Sequence, residues 1–295
     1  MIRILTGLAL SIGVLLAWPG QAQAAESYDS CTGFIDSLPA TITTQGTWCL
    51  KNNLSTAITN GDAITIDANN VTVDCNGFKI GGLAAEPDTE AQGISARARL
   101  NATVRNCTIR GFSHGIDFYE GGNHLIEGNT IDRSTNRGIF IINAPGSIVR
   151  NNIVANTGRS TSFGPDSDSA TGIYADGGAD ILNNTVNGVV GVVGGDNTIW
   201  VEGIFAGNGS VVGNRVRGLA AIGAQFAFID GIKVQGSTAV FKNIVQAPGT
   251  AGGGENRVGI RCQDNLASAH DNVLLGFRAG IGVNCFSSAN HTNPN

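Results

Sequence analysis

The sequence has little of what builds helices, a metal centre or a nucleic-acid interface. After the run Ile4 to Trp18, every apolar stretch is short and interrupted by glycine, which argues against helices and against a later membrane span. Charged residues make up 14% of the chain, and its net charge of −5 gives no basic excess for nucleic acid. The four histidines and six cysteines show no metal-ligand spacing. These absences favour a β-rich chain.

The first 24 residues have the features of a secretory signal peptide. Arg3 precedes the apolar run, and Ala22-Gln23-Ala24 follows it with small residues suited to cleavage. Removing this segment takes away one basic residue and no acid, which leaves 17 basic and 23 acidic residues, a net charge of −6. We therefore expect a soluble protein that is secreted or periplasmic.

Glycine, at 42 residues, marks a repeat. A Gly-Ile pair opens a short apolar run at Gly93, Gly115, Gly138, Gly172, Gly203, Gly231, Gly259 and Gly280. A second column follows downstream at Cys107, Asn129, Asn152, Asn184, Asn214, Asn243 and Asn272, with aliphatic residues three before and two after nearly every member. A period of about 20 to 35 residues with short strands predicts a solenoid whose repeats bury their faces by stacking.

Each repeat is predicted to form one coil of about three short parallel strands. The glycine is expected to supply a backbone angle that other residues resist. The asparagines fall at a corner, where amides stacked about 4.8 Å apart can form a hydrogen-bonded ladder. Because crossovers between parallel strands are right-handed, the pattern predicts an all-β, right-handed parallel β-helix of about eight to nine coils over residues 61–286.

The two ends lack the repeat. Residues 25–60 are predicted to form an N-terminal cap, in which Ala40 to Thr44 and Thr47 to Leu50 make a hairpin around Gln45-Gly46. Residues 287–295 are expected to be a frayed polar tail.

The repeat from Asp62 to Cys285, with the lead-in Cys31-Thr32-Gly33, Leu38-Pro39 and Trp48-Cys49-Leu50, resembles the pectin-lyase-like superfamily, especially its NosD-like bacterial secreted proteins. The resemblance implies the β-helix fold. It does not imply one activity, because that superfamily contains lyases, epimerases, hydrolases, tailspikes and proteins of unknown role.

Six cysteines in an exported chain are expected to pair as structural staples. The stacking register places them in three neighbouring sets, Cys31 with Cys49, Cys75 with Cys107, and Cys262 with Cys285. No chemistry is assigned to them.

Side chains of the first strand in each coil should alternate, with the isoleucine inward and the next residue outward. The substrate-binding candidates on the outward side are Asp117, Tyr119, Phe140, Tyr174, Asp176, Phe205, Gln235 and Gln263. Asp117 and Asp176 are predicted to be the only acids there. A row of rings and charges suits an extended polysaccharide lying along the axis.

Lys233 and Arg261 are the catalytic candidates. As cations on neighbouring coils they should interact directly, and a nearby like charge lowers the pKa of a lysine, as a general base requires. Arginine could neutralise a uronate carboxylate beside the abstracted proton. The pair is similar to the Lys and Arg pair of β-helix lyases that cleave alginate or dermatan sulfate. That resemblance implies a polysaccharide lyase or epimerase.

Several signatures of related enzymes are missing. The chain has no Asp-Pro-His triplet of mannuronan epimerases, no Gly-His-Gly or Arg-Ile-Lys motif of polygalacturonases, and no Arg-x-Pro-x-x-Arg run of pectate lyases. An inverting hydrolase using Asp117 and Asp176 ranks below the lyase interpretation. The alternative is a non-catalytic extracellular or envelope module that binds glycan or assembles, as a monomer or trimer, through the same row.

The connections from the third strand to the next first strand lengthen after residue 155, which predicts a groove on that side. Trp200, Phe226 and Phe228 in these connections could line a sugar subsite, fold back on the helix or pack against another subunit. The sequence assigns no metal or cofactor, and Asp166 and Asp168 form either a solvated turn or a calcium site. His114 and His124 belong to the coil of Asp117, so a role beside the groove is open.

Overall fold

Three long parallel sheets make up almost all of the computed structural model. It describes residues 28–85, 89–159, 169–192, 198–247, 255–277 and 279–293, so the predicted signal peptide and calcium loop lie outside the described residues. Within these ranges there is one turn of 3-10 helix, Leu83–Ala85, and no α-helix. No described helix is long and apolar enough to cross a membrane. The all-β prediction is confirmed.

Successive strands along the chain enter the three sheets in turn, and neighbours within each sheet are parallel. The first sheet contains Ala40–Ile42, Asp62–Ile66, Gln92–Leu100, His114–Gly122, Arg137–Ile142, Ala170–Asp176, Thr198–Gly207, Phe226–Gln235, Glu255–Cys262 and Ala279–Ile281. The second contains Gly33–Phe34, Gly46–Cys49, Val71–Asp74, Thr103–Arg105, Leu125–Glu127, Ile148–Arg150, Asp180–Leu182, Ser210–Val212, Ala239–Phe241, Ser268–His270 and Phe286–Ser288. The third contains Leu54–Ser55, Lys79–Gly81, Thr108–Arg110, Thr130–Asp132, Ile153–Gly158, Thr185–Val192, Arg215–Arg217, Ile244–Gln246, Val273–Leu275 and His291–Asn293, with Ala220–Ile222 pairing beside Thr185–Val192.

The predicted columns lie in register. Ile116 pairs with Ile94 on one side and Ile139 on the other, and all three are fully buried in the core. The aliphatic columns of the other two sheets complete the interior, as with Val104, Ile126 and Val149. A coil is too thin to bury its own apolar face, so each one depends on its neighbours for a core.

The glycine of each Gly-Ile pair is required for close approach. A Cβ on Gly203 would lie 2.2 Å from Val216 Cγ1 and 2.5 Å from the carbonyl oxygen of Gly231 on the next coil. None of these column glycines has a positive φ. The expectation of an unusual backbone angle is therefore wrong, and steric contact between stacked coils is the reason for glycine.

The asparagine column forms the predicted ladder. Asn129 Nδ2 donates to Asn152 Oδ1 at 3.0 Å, and the same bond recurs along Asn184, Asn214, Asn243 and Asn272. Each amide oxygen also accepts the backbone N–H of the preceding asparagine. The ladder continues to Asn290, which the repeat pattern did not include.

Both ends of the stack differ from expectation. The prediction of an N-terminal hairpin is wrong, because its two strands lie in different sheets. Ala40–Ile42 pairs with Asp62–Ile66 in the first sheet, and Gly46–Cys49 pairs with Val71–Asp74 in the second. The end of the chain is not frayed through Asn293, since Phe286–Ser288 and His291–Asn293 pair with preceding strands. Strands on both sides of the predicted range 61–286 therefore join the sheets, which have ten or eleven strands each.

The predicted disulfides are confirmed. Cys31 is bonded to Cys49, Cys75 to Cys107, and Cys262 to Cys285. The second and third bonds each link neighbouring coils, Cys75 with Cys107 beside the asparagine corner and Cys262 with Cys285 at the C-terminal end. Three disulfides are typical of proteins in an oxidising compartment.

We predict that Asn184→Ala destabilises the fold by about 3 to 5 kcal/mol. The amide of Asn184 donates to the Val149 carbonyl and to Asn214 Oδ1, and accepts from both nitrogens of Asn152. Removing it leaves several buried polar groups unsatisfied, and each costs about 1 to 3 kcal/mol. Chemical denaturation measures the change in free energy of unfolding.

The matched control is Asn52→Ala, at an exposed asparagine outside the ladder. Its effect should stay within about 0.5 kcal/mol, as for ordinary surface substitutions. Equal effects of the two variants would show that the ladder does not hold the coils together.

Candidate functional site

The outward residues that follow each Gly-Ile pair form a continuous row on the first sheet, which we call the first-sheet row. Its members, paired in register, are Ser95, Asp117, Phe140, Tyr174, Phe205, Lys233 and Arg261. These residues pair in register on successive strands, and the roles assigned to them stay predictions. Ser95, Asp117 and Phe205 are buried although they lie on the outer face, so the row is not an ordinary solvated surface.

Three aromatic rings stack along the middle of the row. The ring centroids of Phe140 and Tyr174 are 5.2 Å apart, and those of Tyr174 and Phe205 are 4.4 Å apart with nearly parallel planes. The spacing follows from the parallel register, which places one ring on each successive strand. The stack is mostly apolar, with Asp117 at one end and Lys233 at the other.

A second polar row lies beside the first, and we call it the flanking row. It consists of the residue before each Gly-Ile pair: Gln92, His114, Arg137, Thr171, Glu202 and Asp230. The sequence prediction missed it because regular alternation puts these residues inward. His114 lies on the outer face although inward Ile116 is only two residues away, so the alternation breaks at the glycine. A polar residue before six of the eight glycines was the available signal.

The flanking row supplies acids to both predicted catalytic cations. Lys233 Nζ lies 2.8 Å from Glu202 Oε1, and Arg261 Nε lies 2.8 Å from both oxygens of Asp230. The prediction that Asp117 and Asp176 are the only acids on this face is therefore wrong. Lys233 and Arg261 are ion-paired cations, and a carboxylate accompanies each of them. The Glu202 and Asp230 side chains are 9% and 2% exposed.

Asp230 is the most perturbed acid of the face. Burial raises its pKa from 3.8 to about 6, although the charge and hydrogen bonds of Arg261 act in the opposite direction. A carboxyl with such a pKa changes its charge in mildly acidic solution, so the Arg261 pair is sensitive to pH in that range.

His114 and Asp117 form a hydrogen-bonded pair at the other end of the ring stack. His114 Nδ1 lies 3.0 Å from Asp117 Oδ2, and Arg97 Nη2 lies 3.8 Å from the same oxygen. The carboxylate favours the tautomer with the proton on Nδ1, which leaves Nε2 to accept a proton. Nε2 faces Nη1 of Arg137 at 3.5 Å. Asp117 Oδ1 is buried without a hydrogen-bond partner in the described part of the chain.

Arg137 lies at the centre of the face. Its guanidinium carbon is 4.8 Å from the centroid of the Phe140 ring and 5.3 Å from that of Tyr174. Among the described residues it has no carboxylate within ion-pair distance, and its buried Nε has no hydrogen-bond partner. Burial lowers its pKa, with opposing effects from Tyr174, Glu202 and Asp117, but arginine stays charged in proteins. Burial likewise raises the pKa of Tyr174.

The remaining substrate-binding candidates lie along the downstream edge of the row. Tyr119 is 37% exposed, and Gln263 is exposed. Gln235 Nε2 donates a hydrogen bond to Asp176 Oδ2 at 3.0 Å. This bond passes over Gly207, which lies on the coil between the two residues. A Cβ on Gly207 would lie 2.0 Å from Asp176 Oδ1, so glycine there makes the bridge possible. Asp176 is thus held by Gln235, two coils from the strand of Asp117.

The aromatic residues that were assigned to the long connections belong to two long strands of the first sheet. Trp200 pairs in register with Phe228, and their rings stack 5.4 Å apart. Trp200 is 43% exposed and Phe226 50%. These rings extend the outer face upstream of Glu202 and Asp230, and both the subsite and the subunit-contact interpretations stay predictions.

The two histidines that the sequence places near the groove lie in different surroundings. His114 belongs to the face, whereas His124 is buried in the interior against Phe118, with ring centroids 4.7 Å apart. Burial lowers the pKa of His124, opposed by a backbone hydrogen bond at Glu120. The described residues contain no group of three or more His, Cys, Asp or Glu side chains suited to a metal.

We predict that Asp230 makes the protein less stable as the pH rises from about 4 to about 6. Its pKa is higher in the folded chain, so the folded state holds the extra proton below pH 6 and loses that advantage above it. Asp230→Asn should remove this component, so that the stability of the variant relative to the parent rises by up to about 3 kcal/mol between pH 4 and pH 7. Urea unfolding at several pH values measures it.

Asp36→Asn, at an exposed aspartate, is the control for the loss of one carboxyl. If the pH profiles of Asp230→Asn and the parent run parallel, Asp230 does not titrate in this range.

Solved structures with a similar chain path include three proteins that act on polysaccharides. The Azotobacter vinelandii mannuronan C-5 epimerase AlgE6 A-module is 14% identical and aligns over 84% of this chain and 81% of its own, with a TM-score of 0.46. The periplasmic alginate epimerase AlgG is 14% identical over 84% and 69%, with a TM-score of 0.49. An alginate lyase from Paenibacillus sp. str. FPU-7 is 14% identical over 83% and 99%, with a TM-score of 0.36. At these values the neighbours do not indicate an activity for this chain.

No curated protein sequence matches the chain. A family model described as a right-handed beta helix region matches residues 41–203 and 92–293. The matched ranges cover most of the chain and contain the glycine, aliphatic and asparagine columns that build the three sheets. The fold expected from the pectin-lyase-like resemblance is confirmed, and the chain belongs to the right-handed β-helix family.

Proposed function

We propose that this protein binds a uronate-containing polysaccharide along the first sheet and acts on it as a lyase or epimerase. The observation that carries the proposal is Arg137, a half-buried cation that has no carboxylate partner in the described part of the chain and lies against the ring stack. A buried charge without a partner is costly, and a uronate carboxylate would provide that partner.

The ring stack supplies the second part of the binding surface. Phe140, Tyr174 and Phe205 follow the axis of the β-helix, so an extended chain of sugars lying along that axis would contact successive rings. Because the faces of Tyr174 and Phe205 stack on each other, the polymer would meet the outward edges of the rings, and the flanking polar residues can hydrogen-bond to its hydroxyl groups. The surface therefore suits a linear acidic glycan better than a neutral one.

Lyases and epimerases of uronates share a first chemical step, removal of the proton next to the carboxylate. The step requires a cation on the carboxylate and a base at the proton. Arg137 supports the first role. His114, oriented by Asp117 and with Nε2 beside Arg137, supports the second. Loss of the leaving group then gives an unsaturated product, whereas return of a proton from the opposite face gives an epimer.

Lys233 and Arg261 are the competing assignment for the same step. They lie in the same row, past the far end of the ring stack, and Lys233 Nζ is 5.7 Å from the centroid of Phe205. Their ion pairs with Glu202 and Asp230 favour His114 and Arg137 as the reacting groups. In this arrangement Lys233 and Arg261, whose charges are already paired, contact hydroxyl groups of the polymer through their remaining donors.

We predict that Arg137→Gln weakens binding of a uronate polymer at least tenfold and leaves binding of a neutral glucan unchanged. Loss of a charge-assisted hydrogen bond to the carboxylate explains the discrimination. Calorimetry with oligosaccharides of alginate, polygalacturonate and glycosaminoglycan, with a neutral oligosaccharide as reference, measures it.

The control is Arg215→Gln, which removes the same charge at an exposed position on the third sheet. Equal weakening by both variants would assign the effect to overall charge. No binding of any acidic polymer by the parent protein would contradict the proposal itself.

We predict that turnover is lost on His114→Gln and retained, with weaker substrate binding, on Lys233→Met combined with Glu202→Gln. The double variant removes both members of the ion pair, so that no buried charge is left unpaired. Absorbance of unsaturated sugar ends reports a lyase, and exchange of the proton next to the carboxylate with deuterated solvent reports an epimerase, with and without added calcium.

The reverse result would return the catalytic role to Lys233: turnover is lost in the double variant and is unchanged in His114→Gln. Circular dichroism and melting temperature confirm that each variant is folded.

A second function, glycan binding or assembly without turnover, is favoured by one observation. Both cations that the sequence predicts as catalytic are neutralised by acids of the flanking row. Glycan binding that requires Tyr174 and Phe205, with no product or proton exchange from any substrate of the panel, would establish this function. Burial of the ring stack in an oligomer interface would indicate assembly.

A further inference from the structure

A cleft of about 530 Å³ lies outside both polar rows, at the corner between the third and first sheets. Its lining residues are Arg133, Thr135, Asn156, Gly158, Arg159, Gly188 and Val190. They come from three successive coils, at the ends of strands Thr130–Asp132, Ile153–Gly158 and Thr185–Val192. The stacking register brings them together, because Gly158 N donates to the Ser134 carbonyl and Arg159 N to the Val190 carbonyl.

The charges that line the cleft are positive and unbalanced. Arg133 and Arg159 are exposed and have no ion pair within the described ranges, although the chain as a whole is acidic. The neighbouring carboxylate, Asp132, already forms an ion pair with Arg110, whose Nε lies 2.8 Å from it, and accepts a hydrogen bond from Asn156 Nδ2 at 2.8 Å. The two guanidiniums therefore face the cleft without an acid to share.

A buried hydroxyl provides an independent indication of a ligand. Thr135 is 6% exposed, and its Oγ1 has no hydrogen-bond partner in the described part of the chain. Leaving a buried hydroxyl unsatisfied costs free energy, so rotation of the Thr135 side chain toward an acceptor in the cleft would recover a hydrogen bond. Oγ1 can donate to an acceptor, and the guanidiniums are donors only.

We infer that this cleft is a separate binding site for an oxyanion, a carboxylate, sulfate or phosphate group carried by a ligand. Two guanidiniums and one hydroxyl donor match the acceptor-only oxygens and negative charge of such a group. The inference is independent of the proposed function, since none of the lining residues belongs to the first-sheet row or the flanking row.

The test is calorimetric titration of the purified protein with sulfate, phosphate and acetate at constant ionic strength. We expect saturable binding at one site by at least one of the three anions, and the comparison among them identifies the preferred oxyanion. Arg133→Gln and Arg159→Gln should each weaken that binding roughly tenfold, as loss of a hydrogen bond to a charged group does.

Three further variants make the result specific. Arg217→Gln, at an exposed arginine of the third sheet outside the cleft, should leave anion binding unchanged. Arg215→Gln, at a second exposed arginine of the third sheet outside the cleft, should also leave it unchanged. Thr135→Val keeps the side-chain shape and should weaken anion binding without lowering the melting temperature of the anion-free protein.

Absence of saturable binding by all three anions would overturn the inference. So would binding that Arg133→Gln and Arg159→Gln weaken no more than Arg217→Gln does.

Discussion

The amide ladder fixes the register on which the surface chemistry of this protein depends. Each asparagine from Asn129 to Asn272 bonds to the asparagine of the next coil through its side chain and through a backbone N–H. These bonds are buried, and a shift of one coil relative to another would leave donors and acceptors unsatisfied. Residues more than 20 positions apart are therefore held opposite one another, and the rows of the first sheet exist only under that constraint.

Electrostatic pairing divides the face into parts with different properties. At one end, Glu202 and Asp230 neutralise Lys233 and Arg261, so this end is a closed network whose charges are already satisfied. At the other end, Asp117 orients His114, while Arg137 has no acid of its own among the described residues. The rings of Phe140, Tyr174 and Phe205 separate the two parts. On this face an acidic ligand gains most at Arg137, because Arg137 is the cation of the two rows that has no carboxylate partner among the described residues.

Most of the scaffold could be predicted from the sequence, because a solenoid repeats the same local requirement in every coil. The Gly-Ile column, the asparagine corner, the pairing of Cys75 with Cys107 and the order Asp117, Phe140, Tyr174 all follow from spacing. The two ends of the stack were harder to predict from the sequence. Ala40–Ile42 and Gly46–Cys49 resemble a hairpin locally, but each pairs with a strand of a different sheet. Asn290 continues the ladder in a segment that lacks the Gly-Ile signal.

The sequence by itself determined the fold, the register and the residues of the first-sheet row, since these depend on periodic spacing and on the volume of side chains. Only the tertiary structure decided which charges are satisfied. Glu202, Asp230 and Arg137 each precede a glycine of the Gly-Ile column and lie on the outer face, although regular alternation would place them inward. Ion pairing depends on distances of a few ångströms across coils, and a linear pattern does not contain those distances.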